Sequence, residues 1–395
     1  MLALTCPNKF VQIGDASVAT ISLNKESPIP LHVQLLNQLR QLILGGEWQP
    51  HERLPSEPEL VEQLGVSRTT IRKAFDTAER EGLIYRVAGK GTFVEAQPAA
   101  VSRRLVGFVI PRFRSTFDSH LLLGVEQVLK AHEYQVLFCN SERRLDEENR
   151  LLAGLIRDRV DGFVIWPVQS DDLNRELFHL SVRGFPLVLM DRAFPYLEAD
   201  CALADNFGGA YAATQHLLEL GHERIAFLAR PYLHLLPVAE RLAGYRQALR
   251  DAGLELLPPL LVGEPFEPGT GYTLRAYADA SGPEIQALRE QLARPNRPTA
   301  IFAMNDLMAL LALKAAALTG LVVPNDISIV GFDDLDVVNQ LAVPLTTVAQ
   351  NPLDLGAEAA RLLLDRLGGY RGAPRQRRLR TSLCVRGTSA PPNGR

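Results

Sequence analysis

From Leu105 onward, short apolar runs and amphipathic stretches take turns along the chain. The runs LVGFVIP, YQVLFCN, VDGFVIW and FPLVLMD read as strands, and between them lie stretches of helical spacing centred on LLLGVEQVLKA, ENRLLAGLIRD and LNRELFHLSVR. Strand, helix, strand at this pitch predicts a parallel sheet with helices on both faces. The alternation resumes after Asp205 with the helix AYAATQHLLELG, the strand RIAFLAR, the helix AERLAGYRQALRDAG, the strand AIFAM, the helix DLMALLALKAAALTG and the strand ISIVGFDD. About 285 residues is too much for one comfortable sheet, so the break near 191–206 predicts two doubly wound lobes, with a ligand cleft at the carboxyl ends of their strands.

The preceding residues have another texture. Leu31, Leu35, Leu39, Leu42 and Ile43 recur at helical spacing and stop at Gly45-Gly46. Ser56 and Glu59 stand three apart, as a capping box requires, with Glu57 and Pro58 suited to the first turn of a second helix. That helix runs through Leu60, Val61 and Leu64 to Gly65, where positive φ permits a tight turn, and Ser67 then caps a third. In the third helix Ile71, Ala74, Phe75 and Ala78 share one face, while Arg68, Thr69, Arg72 and Lys73 share another. The stretch LIYRVAGKGTFV alternates around Ala88-Gly89-Lys90-Gly91 as a β-hairpin would. A winged helix-turn-helix is therefore expected over 24–96, a linker over 97–103 and the α/β unit over 104–390.

Charge decides what the first unit touches. The net charge of −3 argues against a protein coated in basic residues, so any nucleic-acid contact must come from a local patch. Residues 66–92 carry Arg68, Arg72, Lys73, Arg80, Arg86 and Lys90 against Asp76, Glu79 and Glu81. The arginines and threonines on the outward face of the third helix suit phosphates and base edges of a duplex major groove.

Other classes of function find no support. Cys6, Cys139, Cys201 and Cys384 lie far apart without a C-x-x-C, so neither a disulfide framework nor a metal site is expected. No apolar stretch approaches the roughly twenty residues of a membrane span, and MLALTCPNKF lacks the order of a signal peptide, so a cytoplasmic protein is expected. There is no phosphate loop, nucleophile elbow, H-E-x-x-H or dinucleotide fingerprint; neither an enzyme nor a cofactor is expected. The predicted strand ends bring Asp191-Arg192, Asp205-Asn206, Asn305-Asp306 and Asp333-Asp334 to one rim, with Arg241 able to donate in a fork. Carboxylates, amides and a guanidinium suit an uncharged polyhydroxylated ligand, a sugar being the natural guess.

The stretch HERLPSEPELVEQLGVSRTTIRKAFDTAEREGLIYRVAGKGTFV resembles the DNA-binding domain of the GntR family throughout, with its L-P-S-E, G-V-S-R-x-T-x-R and G-x-G-T-F elements in place. The resemblance implies Arg68 and Arg72 at bases or phosphates, Ser67 and Thr70 at phosphates, and Gly89, Lys90 and Gly91 in the minor groove. Ser56 and Thr69 join the expected DNA-facing set. Where that family usually has arginine after L-P-S-E this chain has Pro58, which shifts weight onto Arg53, Arg68, Arg72 and Lys90.

In the second unit, DNFGGAYAATQHLLELGHERIAFLA, ERLAGYRQALRDAGL, the stretch from PTAIFAMNDLMALL to ISIVGFDD, and PLTTVAQ are similar to the LacI-type effector domain. That likeness implies ligand contacts from Asp191 or Arg192, Arg241, Asn305, Asp333 and Gln350, an aromatic wall near Phe266, and Phe113 or Phe117 from the loop PRFRSTFDSH. It also implies a homodimer paired through the effector lobes. A GntR-like winged helix joined to a LacI-like domain resembles the arabinose-repressor group of chimeric regulators. The expectation is a repressor of carbohydrate-utilisation genes, released from operator DNA by a small sugar. The alternatives are a sugar-binding protein of cytoplasmic or transport type, and a regulator that answers to a non-sugar molecule.

Overall fold

The computed structural model describes residues 21–95, apart from 26 and 28, and 104–393, apart from 169–173, 195 and 264–281. These fall into two compact units, one within residues 1–103 and the other within 104–395.

The first unit is built from α1 (Leu31–Leu44), α2 (Glu57–Leu64), α3 (Arg68–Arg80), β1 (Ile84–Val87) and β2 (Gly91–Val94). Its helix boundaries follow from local chemistry. Ser56 and Glu59 form the reciprocal capping box, and Gly65 ends α2 at φ 60°. Ser67 Oγ accepts the Thr70 amide at 3.1 Å and starts α3. The apolar face of α3, with Ile71, Ala74, Phe75 and Ala78 all fully buried, packs with Leu35 and Leu39 of α1 and with Leu54, Leu60 and Ile84. Ile21 and Trp48 close the same core. β1 and β2 pair antiparallel from Ile84 opposite Val94 to Val87 opposite Gly91, which makes the wing.

The second unit has two sheets. The first lobe contains β3 (Arg104–Ile110), α4 (Thr116–Lys130), β4 (Tyr134–Asn140), α5 (Leu145–Arg157), β5 (Gly162–Ile165), α6 (Arg175–Val182), β6 (Leu187–Met190) and β7 (Asp200–Ala204). The second lobe contains α7 (Asn206–Glu219), β8 (Ile225–Ala229), α8 (Leu236–Asp251), β9 (Leu260–Leu261), α9 (Pro283–Leu292), β10 (Ala300–Ala303), α10 (Asp306–Leu318), β11 (Ser328–Asp333), α11 (Asp336–Asn339) and β12 (Thr346–Ala349). The chain then returns through α12 (Pro352–Leu367) and β13 (Gln376–Leu379) to the first lobe, and through β14 (Ser382–Cys384) to the second. Strand order is β13-β7-β6-β5-β3-β4 in one sheet and β14-β12-β11-β10-β8-β9 in the other. Among the described residues of these two sheets, only β14 runs antiparallel to its neighbour.

Among the described residues the chain passes between lobes at 204–206, 349–352 and 379–382. The Asp205 amide donates to Leu379 O at 2.8 Å, and Thr381 Oγ1 donates to Asp205 O at 3.2 Å, which ties the first and third crossings together. Such multiple crossovers leave two rigid lobes joined by a few residues able to absorb a hinge motion.

Candidate functional site

In the first unit, α3 turns Arg68, Thr69, Arg72 and Lys73 outward, and the wing tip carries Gly89 and Lys90 into solvent. The side chains of Arg68, Arg72, Lys73 and Lys90 form no hydrogen bond or ion pair with the described residues. Neighbouring charges are engaged among themselves, two arginines with four carboxylates. Arg86 reaches Asp76 and Glu79 at 2.8 Å and Glu57 at 3.5 Å, while Arg40 of α1 takes Glu81. Arg86 is therefore engaged by Glu57, Asp76 and Glu79 rather than free to join the positive patch that composition assigned it to, and Glu81 is engaged by Arg40. Arg80 folds back on Thr77 at 2.9 Å. Arg68, Arg72, Lys73 and Lys90 stay exposed along α3 and the wing, with the paired Asp76 and Glu79 partly exposed on the same helix.

Arg53 stands beside that strip. A Cβ at Gly91 would lie 3.0 Å from Arg53 Nε, and Gly91 sits at φ 120°, a conformation that favours glycine. Ser56 spends its side chain on the capping box, and Thr70 shares a 2.8 Å hydroxyl contact with Ser67.

In the second unit a cavity of about 140 Å³ opens between the lobes at the carboxyl ends of the strands. Its second-lobe wall centres on Arg241 of α8, which is held from several sides. Its Nε donates to Asn206 Oδ1 at 2.9 Å, one Nη donates to Met304 O at 2.6 Å, and the same nitrogen lies 3.4 Å from Asp333 Oδ1. The guanidinium also lies 3.7 Å from the centre of the Phe332 ring. Asp333 accepts Gln350 Nε2 at 2.7 Å, at the second crossing between lobes. Burial raises the Asp333 carboxyl above the usual carboxylate range, against the pull of Arg241 and Gln350. Asn305 caps α10 through Met308 at 2.9 Å and also lines the cavity.

The backbone is strained where the site needs it. Asp191 sits at φ 65°, Asp333 at φ 117°, Asp334 at φ 55°, Glu142 at φ 51° and Arg143 at φ 62°. Left-handed non-glycine residues cost stability and persist only where their surroundings hold them. Asp306 does part of that holding: fully buried, it accepts the Leu335 amide at 2.7 Å and the Thr347 hydroxyl. Burial, reinforced by Asp333, keeps its carboxyl well above the usual range.

The first-lobe wall is aromatic and basic. Phe117 meets Trp166 edge-on at 6.2 Å, and Arg112 lies over Trp166 at 5.1 Å. Arg192 donates to Pro167 O at 3.1 Å and lies 3.7 Å from Asp191. Arg143 adds to this wall, and Tyr232 faces it from the second lobe. A second cavity of about 480 Å³ shares Arg112, Phe117, Arg143, Asn305 and Asp333 with the first, so the cleft continues outward past Arg114 and Leu335.

Two family models match the chain: the gntR family of bacterial regulatory proteins over residues 31–94, and the periplasmic binding protein-like domain over 214–389. The chain is also 30% identical over 348 residues to the arabinose metabolism transcriptional repressor of Geobacillus stearothermophilus, covering 86% of this chain and 92% of that one. It belongs to that family of repressors.

Solved structures agree with the two-lobed design of this repressor. A transcriptional regulator in complex with cellobiose matches at a TM-score of 0.62 and 29% identity, over 89% of this chain and 99% of that one. A LacI family regulator from Enterococcus faecium with bound ribose matches at 0.59 and 28%, over 73% and 99%.

Of the residues expected at the effector site, Phe117, Asp191, Arg192, Arg241, Asn305, Asp333 and Gln350 converge on one cavity. Both Asp191 and Arg192 line it, and Phe117 does so while Phe113 packs against Phe138 at 5.0 Å. Asp205 departs from expectation. Its side chain caps α7 by accepting the Gly208 amide at 2.9 Å at the first crossing, away from the lining. Its neighbour Asn206 serves the site indirectly, bridging Arg241 to Glu240. Phe266 lies outside the described residues.

Arg112, Arg143, Trp166 and Tyr232 line the cavity without having been singled out by sequence. All four close a strand or sit on a loop just beyond one, Arg112 two residues after β3. Trp166 ends VDGFVIW, Arg143 lies in ERRLDEEN and Tyr232 in PYLHLLP, so position after a strand was the available signal.

Proposed function

We propose that this protein is a dimeric repressor that holds an operator through α3 and the wing, and lets it go when a small sugar binds between the lobes. The observation that carries the reading is the meeting of Arg241, Asp333, Gln350 and Asn305 with Asp191 and Arg192 from the facing lobe. Together they offer forked donors and acceptors to a ring of hydroxyls, while Trp166 and Phe117 offer flat apolar surface. The arabinose-metabolism relative and the ribose- and cellobiose-bound structures support a sugar as effector.

On this reading Arg68 and Arg72 reach base edges, with Arg53, Thr69, Lys90 and the flanking glycines along phosphate or minor groove. Ser56, Ser67 and Thr70 act at phosphates with whatever bonding capacity their caps leave. The winged helix occupies residues 24–96, the linker 97–103, and the effector and dimerisation domain 104–390. One winged helix covers one half-site, so two copies reading a pseudo-palindrome fit the family's mode of action. The protein works beside its DNA in the cytoplasm and carries out no catalysis.

Gel retardation on the DNA upstream of its own gene tests the reading. A shifted complex is expected that disappears as the cognate sugar from a panel is added. A complex indifferent to every sugar, or no complex at all, overturns it.

A further inference from the structure

The cleft is larger than one sugar ring. Its inner chamber, where Arg241, Asp333, Asn305 and Gln350 meet, measures about 140 Å³, and the outer chamber about 480 Å³. At about 30 Å³ per water the inner chamber equals roughly five waters, close to what one monosaccharide displaces, and the outer one has room for a second ring. The two are continuous. Arg112 and Phe117 of the first lobe and Asn305 and Asp333 of the second line both, and so mark the threshold between them.

The chemistry changes at that threshold. Leu307, Leu335 and Val337 of the second lobe share the outer chamber with Phe117, and Thr116, Asp336 and Gln340 add a hydroxyl, a carboxylate and an amide. A sugar ring is itself two-sided, with C–H groups on its faces and hydroxyls around its edge, so apolar surface beside a few polar groups suits it. Both walls of the chamber are braced by fully buried carboxylates. In the first lobe Asp118 accepts the Arg114 and Ser115 amides at 2.8 and 2.9 Å and fixes the first turn of α4. In the second, Asp306 holds the Leu335 amide at 2.7 Å, and Leu335 packs against the first-lobe core that contains Phe117. Asp118 Oδ1 lies 3.6 Å from Arg112 Nε, beyond hydrogen-bond reach, and neither atom has a hydrogen bond among the described residues. A hydroxyl donates and accepts at once, which matches such a parted pair, and the Arg112 side chain, 29% exposed, can turn to meet it.

We propose that the effector is a disaccharide, with one ring in the inner chamber on Arg241, Asp333, Asn305 and Gln350, its glycosidic oxygen at the threshold, and its second ring in the outer chamber against Phe117, Leu335 and Val337. The inference rests on the sugar reading above and sharpens it. The second ring touches α4 of one lobe and the turn after β11 of the other, so its contacts favour the closed cleft over the open one.

Calorimetric titration of the full chain tests this. Arabinose, xylose, glucose and galactose are set against arabinobiose, xylobiose, cellobiose, maltose and lactose, with the methyl glycoside of each monosaccharide as a control that carries the glycosidic oxygen without a second ring. At least one disaccharide should bind roughly tenfold or more tighter than its constituent monosaccharides and their methyl glycosides. Val337→Trp and Thr116→Trp fill the outer chamber from exposed positions, one in each lobe and neither lining the inner chamber. Each should bring that ratio close to one and leave monosaccharide affinity within about twofold. Monosaccharides that bind as tightly as every disaccharide containing them, or a ratio that both tryptophan variants leave unchanged, overturn the second ring and leave the sugar reading standing. The absence of binding by any sugar of either size overturns both.

Discussion

At the scale of single residues, the two sites respond to different substitutions. Arg68→Ala or Arg72→Ala should weaken operator binding by about 1–3 kcal/mol if each makes a bidentate base contact, with melting unchanged because both side chains are exposed. Anisotropy titration on labelled operator measures it, and wild-type affinity in both variants removes them from the interface. Glu148 gives a pH prediction. Fully buried, it accepts the Val168 amide at 2.7 Å and the Asn174 amide, and so fixes the turn that presents Trp166 and the Pro167 carbonyl. Burial pushes its carboxyl from 4.5 to about 7, against those two hydrogen bonds. A carboxyl raised in the folded state contributes stability that is whole below the unfolded value and is lost as pH climbs through the folded one. The loss is on the order of 3 kcal/mol between those limits. Melting followed from about pH 4.5 to about pH 8 should therefore fall more steeply in the wild type than in Glu148→Gln, and parallel curves refute it.

At the scale of elements, the repeating strand and helix pattern was legible because each unit's apolar period is local. The caps at Ser56 and Ser67 were legible for the same reason, and both are made as expected. Two features were not. β7 begins with Asp200, whose charge hid a fully buried strand; Arg366 and Arg375 each meet it at 2.8 Å from more than a hundred and fifty residues away. α12 follows the second lobe in sequence but packs on α4 of the first. That packing is close: a Cβ on Gly124 would stand 2.0 Å from Leu353 O, and one on Gly356 2.2 Å from Leu121 O. Gly124→Ala or Gly356→Ala should cost at least about 1–3 kcal/mol, since backbone rather than a flexible side chain is in the way. Denaturant unfolding checks it, and wild-type stability in both variants refutes the contact. The missed cavity residues have a similar origin. Arg143 and Tyr232 lie in loops without periodicity, and Arg143 comes to Arg241 from the facing lobe.

At the scale of the molecule, the cleft connects to its own hinge. Asn206 links Arg241 to Glu240, and Glu240 in turn meets Arg378 of β13, in the first-lobe sheet, at 2.7 Å. A continuous chain of charge-assisted contacts thus runs from the cavity-lining Asp333 and Arg241 to a strand of the opposite lobe. Arg378→Ala should change how readily the lobes close and hence the effector concentration needed for release, while leaving every cavity residue in place. An unchanged release curve refutes that role. The larger coupling obeys linkage: an effector that favours the DNA-free form must itself be weakened by operator by the same factor, with roughly 1–3 kcal/mol expected. The most direct measurement is release of labelled operator by the cognate sugar, compared between the wild type, Asp333→Ala and Arg241→Ala. Release should be complete for the wild type, while both variants hold the operator and fail to let it go at the same sugar concentrations. Normal release by both variants, or no release by the wild type with any sugar, would mean that this cleft does not control the DNA.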